Sequence, residues 1–252
     1  MADVNPNVAT IDRILALAPA NTLSVDGFTY LDKDKSLTLH KPPVPTALAI
    51  STLTGFVDLL EAGFEAYGPQ EVLVHVLDHD TVELIASGSD SFGRRQVYIH
   101  AAALKPERTF KFNNFLVQEE FNIALQSMFV PDSNVAELLA ISGNLTAQNS
   151  SQQEDDGVTQ RMTVKAGIVK LDTVTPKPRV SLCPYRTFAE VLQPPSDYIF
   201  RVRQSEQGNT CALFEADGGR WKSAAIQIIK DWLSNRLKGS SVDGLPDVKV
   251  IA

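Results

Sequence analysis

The sequence predicts an α+β fold, with mainly antiparallel sheets and a C-terminal helix capping them. Three observations carry that expectation. Runs rich in β-branched residues follow one another through short polar connections. Segments of helical period fall between groups of strands instead of alternating with every strand. The last apolar run, "CALFEA", leads at once through Asp217-Gly218-Gly219 into a strongly periodic helix.

Taken in order, residues 8–18 ("VATIDRILALA") predict a helix with Ile11, Ile14, Leu15 and Leu17 on its apolar face. Phe28–Leu31 and Leu37–His40 read as a hairpin closed by an Asp-Lys-Asp-Lys turn and stopped by prolines. Ser51 or Thr52 is placed to cap a helix that carries Leu53, Phe56, Val57, Leu60 and Phe64, with Gly68-Pro69 ending it. The runs "EVLVHVLD", "TVELIAS" and "RRQVYIHA" predict an antiparallel meander. Helical period returns over 116–129 through Val117, Phe121, Ala124, Leu125 and Met128, and Pro131-Asp132-Ser133 opens another helix that Gly143 closes. A second β-rich run follows in "VTQRMTVKAGIVKL", "RVSLCPY", "FAEVLQ", "YIFRVRQ" and "CALFEA", and the helix 220–238 completes it.

The most polar stretch, "TAQNSSQQEDDG", suggests a division into an N-terminal α+β region (1–145), a polar loop or boundary (146–157), a β-rich region with the final helix (158–240) and a tail (241–252). At 252 residues, 44% apolar, the chain is long enough for one large core or two modest ones. The net charge is −7, and residues 1–150 hold a net −9 against +2 for the remainder. Such acidity argues against tight non-specific duplex binding, which needs several phosphate-neutralising side chains on one face. Cys183 and Cys211 lack metal-ligand spacing and read as two reduced, half-buried thiols. No run reaches the length of a membrane span, and the N-terminus lacks the features of a signal peptide, so a soluble intracellular protein is expected.

Chemistry-bearing motifs are sparse. The nucleophile elbow G-x-S-x-G, the phosphate loop G-x-x-x-x-G-K-[ST] and the dinucleotide fingerprint G-x-G-x-x-G are all missing. "HVLDHD" collects His75, Asp78, His79 and Asp80, but on a strand running into a turn His75 and His79 need not converge, so no metal is expected. "DVK" at 247–249 lies in the tail, too loosely held for a metal-dependent nuclease.

In "PYRTFAEVLQPPSDYIFRVR" aromatics interleave with arginines. If Tyr198, Phe200 and Val202 face the core, Ile199, Arg201 and Arg203 face outward together, and two arginines so spaced can clamp a phosphate or carboxylate. The residues expected to meet an anionic partner are Arg186, Arg201 and Arg203, with Arg220 at the start of the last helix. That helix has Trp221, Ala225, Ile228, Ile229 and Trp232 on one stripe, and the strand 211–216 is the nearest candidate to receive it. Asp217 is placed to cap it, Gly218 and Gly219 to reverse the chain, and Glu215 to pair with an arginine.

The stretches "EEFNIALQSMFV", "DDGVTQRMTVKAGIV", "RTFAEVLQP" and "ALFEADGGRW", in this order, resemble a family of uncharacterised phage and prophage proteins, the YfdQ-like domains of unknown function. The likeness runs from about residue 50 to residue 238. It implies a phage-encoded protein acting in the host bacterial cytoplasm and carries no catalytic residues with it.

The expectation is therefore a non-enzymatic accessory protein, without a cofactor, that binds a host protein or a small anionic ligand and so antagonises a bacterial defence system. The alternatives are a recombination or replication accessory that binds single-stranded DNA, and a structural, homo-oligomer-forming phage protein. No membrane partner is expected.

Overall fold

The computed structural model describes residues 22–33, 36–62, 72–145, 154–155, 160–166, 170–174, 177, 179–205, 208–238 and 248–252. The helix expected over 8–18 and most of the polar stretch 146–157 lie outside these residues. The protein is α+β, with mainly antiparallel sheets and a C-terminal helix capping one of them. The chain forms two units, one of residues 1–45 with 90–94, the other of residues 46–89 with 95–252.

In the first unit three strands, β1 (Thr22–Val25), β2 (Phe28–Lys33) and β3 (Ser36–Leu39), pair antiparallel in chain order. The expected hairpin is β2–β3, with Tyr30 opposite Leu39 and Lys33 opposite Ser36. The β1–β2 turn is the Asp26-Gly27 pair, with φ of 52° and 81°. These positive values suit a tight hairpin reversal and a glycine at its second position.

The larger unit holds two cores. The first lies on a five-stranded sheet ordered β15-β5-β6-β7-β4, comprising β4 (Leu48–Ile50), β5 (Val72–Asp78), β6 (Thr81–Ala86), β7 (Val97–Ala102) and β15 (Lys249–Ile251). The meander β5–β6–β7 is antiparallel, while β4 and β15 add parallel edges. Val72, Val74 and Val76 alternate inward, as a strand half-buried on one face requires. Helix α1 (Leu53–Glu61) lays Leu53, Phe56, Val57 and Leu60 on this core. Thr52 caps it, its Oγ1 accepting the Gly55 N–H at 3.1 Å.

The second core is aromatic. Its sheet is ordered β12-β13-β14-β8, from β8 (Leu116–Val117), β12 (Val180–Leu182), β13 (Ser196–Ser205) and β14 (Gly208–Glu215), all antiparallel. Helices α2 (Gln118–Met128) and α3 (Ser133–Gly143) supply Phe121, Leu125, Val135, Leu138 and Ile141. Asp132 caps α3 as expected, accepting from Val135 N at 2.7 Å. The Phe110 ring meets Phe112, Phe121 and Phe129 at 4.8, 5.9 and 5.1 Å between centroids. Each such pair contributes roughly 0.5–1.5 kcal/mol beyond its burial. A separate antiparallel set is formed by β9 (Glu154–Asp155), β10 (Gln160–Ala166) and β11 (Lys170–Val174).

Helix α4 (Arg220–Leu237) corrects an expectation. It buries Trp221, Ala225, Ile229, Leu233 and Leu237, but packs on β5, β15 and α1 of the first core, not on the strand that precedes it. The reversal at Gly218 and Gly219 (φ 63° and 80°) turns the chain away from its own sheet. The expected tail also differs: Val248 is buried, and Lys249–Ile251 pair with Leu73–His75 as β15. Because α1 and β5–β7 share one core with Phe188, Val191, Ile229, Leu233, Leu237 and Val248, the two cores do not divide at 146–157.

"FAEVLQ" is likewise no strand. Residues 186–195 form an irregular crossing between the cores. Pro184 bridges to Phe129 of the second, while Phe188 and Val191 enter the first. Glu190, within this crossing, accepts the N–H groups of Leu53 (2.8 Å) and Thr54 (3.3 Å) at the start of α1. Those are donors that a helix leaves unsatisfied.

Candidate functional site: a trough along α2

Helix α2 buries Phe121, Ala124 and Leu125, which leaves Ile123 on the opposite side, 56% exposed. Beside it the irregular chain 106–112 runs past the helix. The two walls enclose a cavity of 680 Å3 bordered by Glu107, Arg108, Lys111, Val117, Glu120 and Ile123. A second cavity of 270 Å3 shares Arg108, Thr109, Phe110, Ser127 and Met128 with the first, so the two form one trough. Its far end is walled by Phe112, Tyr185, Arg186, Glu215 and Trp221. A third cavity of 490 Å3 shares Val117, Glu119 and Ile123 with the first and is bordered further by Asn122, Gln126 and Asn209. All three border α2.

Arg186 organises the closed end. Its side chain is 12% exposed, and the guanidinium lies 3.6 Å from the centroid of the Trp221 ring. Nη1 donates to the Tyr198 hydroxyl at 3.2 Å, and Nη2 donates to Ser196 Oγ at 2.5 Å and to the Pro194 carbonyl at 3.4 Å. Ser196 Oγ in turn donates to Asp217 at 2.5 Å. Nε is buried without a hydrogen-bond partner among the described residues. Burial pulls the Arg186 guanidinium below its ordinary range, opposed by Tyr198, Asp217 and Glu215 beside it. Burial also pushes the Tyr198 phenol up to about 12. Tyr198 stacks on Phe112, with centroids 5.0 Å apart and planes 11° from parallel.

Glu215 stands at the trough's lip, 39% exposed, with Oε1 3.9 Å from Arg186 Nη1. The expected pairing with an arginine is therefore present, as an ion pair longer than a hydrogen bond. Asp217 accepts from Gly219 N at 2.9 Å and holds the joint before α4, although Gly219 itself occupies the cap position.

The four arginines expected to share an anionic partner do not share a face. Tyr198, Phe200 and Val202 are buried in the second core, as alternation predicts, and Arg186 bonds Ser196 and Tyr198 on that same side of β13. Arg201 and Arg203, opposite Ala212 and Thr210 of β14, project from the other side. Arg203 lies 4.3 Å from the centroid of Phe115, whose ring meets Phe214 edge-on at 5.8 Å. Arg220 is exposed on the first turn of α4 and does not line the trough. Of the four, only Arg186 reaches it, as a buried member of its wall.

The histidines separate as well. Asp78, His79 and Asp80 bring one ligand atom each within 4.8 Å, and His75 is not among them. The His79 ring meets Trp221 edge-on at 4.8 Å, and its Nδ1 lies 2.6 Å from Asp78 Oδ1. Cys211 is fully buried and Cys183 partly so, both as free thiols.

Sequence reasoning missed the trough. Its signal was Ile123, an apolar residue roughly opposite the Phe121–Ala124–Leu125 stripe, where α2 should be polar. No signal marked Trp221 as an arginine platform, since its place in the α4 stripe already explained it. No helix among the described residues is long and apolar enough to cross a membrane. Comparison with protein-family models, curated proteins and solved structures returns no match to the chain, so the chemistry of the trough is read from its own residues.

Proposed function

We propose that the protein is a phage-encoded accessory protein with no catalytic step of its own, and that its trough binds a small anionic ligand with a flat apolar body. The observation that carries this reading is the continuity of the two cavities through Arg108–Phe110 and Met128. Aromatic walls at Phe112, Tyr185 and Trp221 suit a flat body, and the exposed Arg108 and Lys111 supply cations for its anionic group in the wider cavity, whose lining also carries Glu107, Glu119 and Glu120. Arg186 serves as a positioned wall, not as the anion's clamp, because its two Nη groups are engaged by Tyr198, Ser196 and Pro194 and its Nε is buried. The phage origin, the host cytoplasm and antagonism of a defence system rest on the resemblance in sequence.

The test is a thermal-shift and calorimetric screen with planar anions, including mononucleotides and aromatic carboxylates. A ligand at 100 times its Kd stabilises by about 2.7 kcal/mol, which shifts Tm by roughly 5–10 °C for a domain of this size. Tyr185→Ala and Arg108→Ala should abolish the shift and leave the unliganded Tm nearly unchanged. No shift from any member of the panel removes the reading.

A second reading, binding of single-stranded DNA, is favoured by Arg203 stacked over Phe115 on the outer face of β13. It requires salt-sensitive binding that the double variant Arg201→Ala/Arg203→Ala loses. A host protein docking along α2 requires instead that Ile123→Asp abolish a purified complex, and an oligomeric phage component requires a solution mass above that of one chain.

A further inference from the structure

We infer that the flat body taken by the trough is a guanine base read by Glu215, and that the ligand is a free guanine nucleotide. The inference rests on the small-ligand reading above and names its chemical class. Glu215 closes β14 at the lip of the 270 Å3 cavity, its backbone N–H held by Asn113 Oδ1 at 3.2 Å. Its carboxylate offers acceptors only. The nearest cation, Arg186 Nη1, is 3.9 Å away and already donates to Tyr198. No described group donates a hydrogen bond to the Glu215 side chain, so its carboxylate keeps acceptor sites for a guest beside the long ion pair with Arg186.

A guest suited to these oxygens presents two adjacent N–H donors, since a carboxylate takes such a pair bidentately. A guanidinium or amidine has that pattern but carries a positive charge, and Arg186 and Arg108 on the same walls oppose a second cation. A neutral donor pair on a flat ring is the remaining match. Guanine has it in N1–H and the N2 amino group. Adenine and cytosine set one amino group beside a ring acceptor, which would face the carboxylate lone pairs. Uracil sets its single N–H between two carbonyls. Phe112 and Tyr185 supply the apolar walls for the ring. Arg108, shared by both cavities, and Lys111, in the lining of the wider one, are the cations offered to the nucleotide's phosphate, beside Glu107, Glu119 and Glu120.

Isothermal titration of the full chain with GMP, IMP, AMP, CMP and UMP tests this, with a trinucleotide carrying one unpaired guanine as a further arm. GMP should bind roughly ten- to a hundredfold more tightly than AMP, with IMP, which lacks the N2 amino group, in between. Glu215→Gln should bring GMP down to the level of AMP while the unliganded melting curve stays in place, because the side chain is half-exposed and the change nearly isosteric. Equal affinity for all bases, or a GMP preference untouched by Glu215→Gln, overturns the guanine assignment while leaving the small-ligand reading standing. Binding of a different planar anion but of no nucleotide does the same. A trinucleotide tighter than GMP overturns the free nucleotide as the source. Failure of every planar anion removes both readings together.

Discussion

Arg186 is held face-on to Trp221, 3.6 Å from the ring centroid, across a joint where the two cores of the larger unit meet. Trp221 belongs to α4, which packs on the first core, whereas Arg186 is bonded to Ser196 and Tyr198 of β13 in the second sheet. The contact therefore ties the crossing 184–195 to both. A guanidinium on an indole face is attracted by the ring quadrupole, and the desolvation at this site strengthens that attraction.

Removing the charge at this joint should be expensive. Arg186→Ala removes the guanidinium from the Trp221 face together with its bonds to Tyr198 and Ser196, and is expected to cost about 1.5–3 kcal/mol. Arg186→Lys should still cost more than about 1 kcal/mol, because an ammonium lacks the planar fork. Glu215→Gln should cost under about 1 kcal/mol, since that group is half-exposed and its ion pair long. Urea unfolding of the three variants gives the ranking, and an Arg186→Ala protein as stable as wild type would refute the joint's role.

Glu190 is a cap supplied from 137 residues away. Glu190→Ala should destabilise the protein by about 1 kcal/mol, and Thr52→Ala by a similar amount. Glu190→Gln keeps an acceptor oxygen and should recover most of the loss. Thermal melts of the single and double variants check this.

The Asp217 carboxyl gives a pH dependence of known sign. Burial by itself would raise its pKa, but the Ser196 hydroxyl, the N–H groups of Gly219 and Trp221 and the Arg186 charge together hold it below its ordinary 3.8. A carboxyl depressed in the folded state contributes stability above its unfolded value, and that contribution is lost as pH falls through the folded value. The loss should fall below about pH 4. Asp217→Asn should therefore be less stable than wild type at pH 7 and lose less on acidification, as read by denaturant midpoints across that range.

The two thiols should differ in reactivity. Burial pushes the Cys211 thiol up to about 12, and burial also raises Cys183, reinforced by Asp132 and opposed by Arg186. In native buffer at neutral pH a thiol-specific reagent should modify Cys183 slowly and Cys211 not at all, with both reacting promptly in denaturant. Peptide mapping of the labelled protein distinguishes the two sites.

Much of the local structure was legible. The meander β5–β7 showed as valine alternation, α2 as helical period, α3 as helical period opened by its Asp132 cap, and β13 as a strand with Arg201 and Arg203 on its outer face. The Asp26-Gly27 turn carries an equally legible signal, Asp-Gly between apolar residues. The short edges β4 and β15 were not legible, since three residues carry too little period and their parallel partners are far along the chain.

For the site, "PYRTFAEVLQPP" drew attention to Arg186 through its aromatic neighbours, but grouped it with Arg201 and Arg203 by proximity in sequence. Whether a guanidinium is a free clamp or a buried wall depends on what surrounds it. Of its partners here, Trp221, Tyr198, Ser196 and Glu215 lie 10 or more residues away along the chain.

By itself the sequence determined what period, alternation and capping encode: the type and order of most elements, the Gly218-Gly219 reversal and the α+β class. Those properties depend on residues a few positions apart. Only the tertiary structure decided which core α4 joins, that Lys249–Ile251 belong to a sheet, and that α2 and the chain 106–112 leave a trough ending at Trp221 and Glu215. Each of these depends on surfaces brought together by burial, which no local pattern specifies.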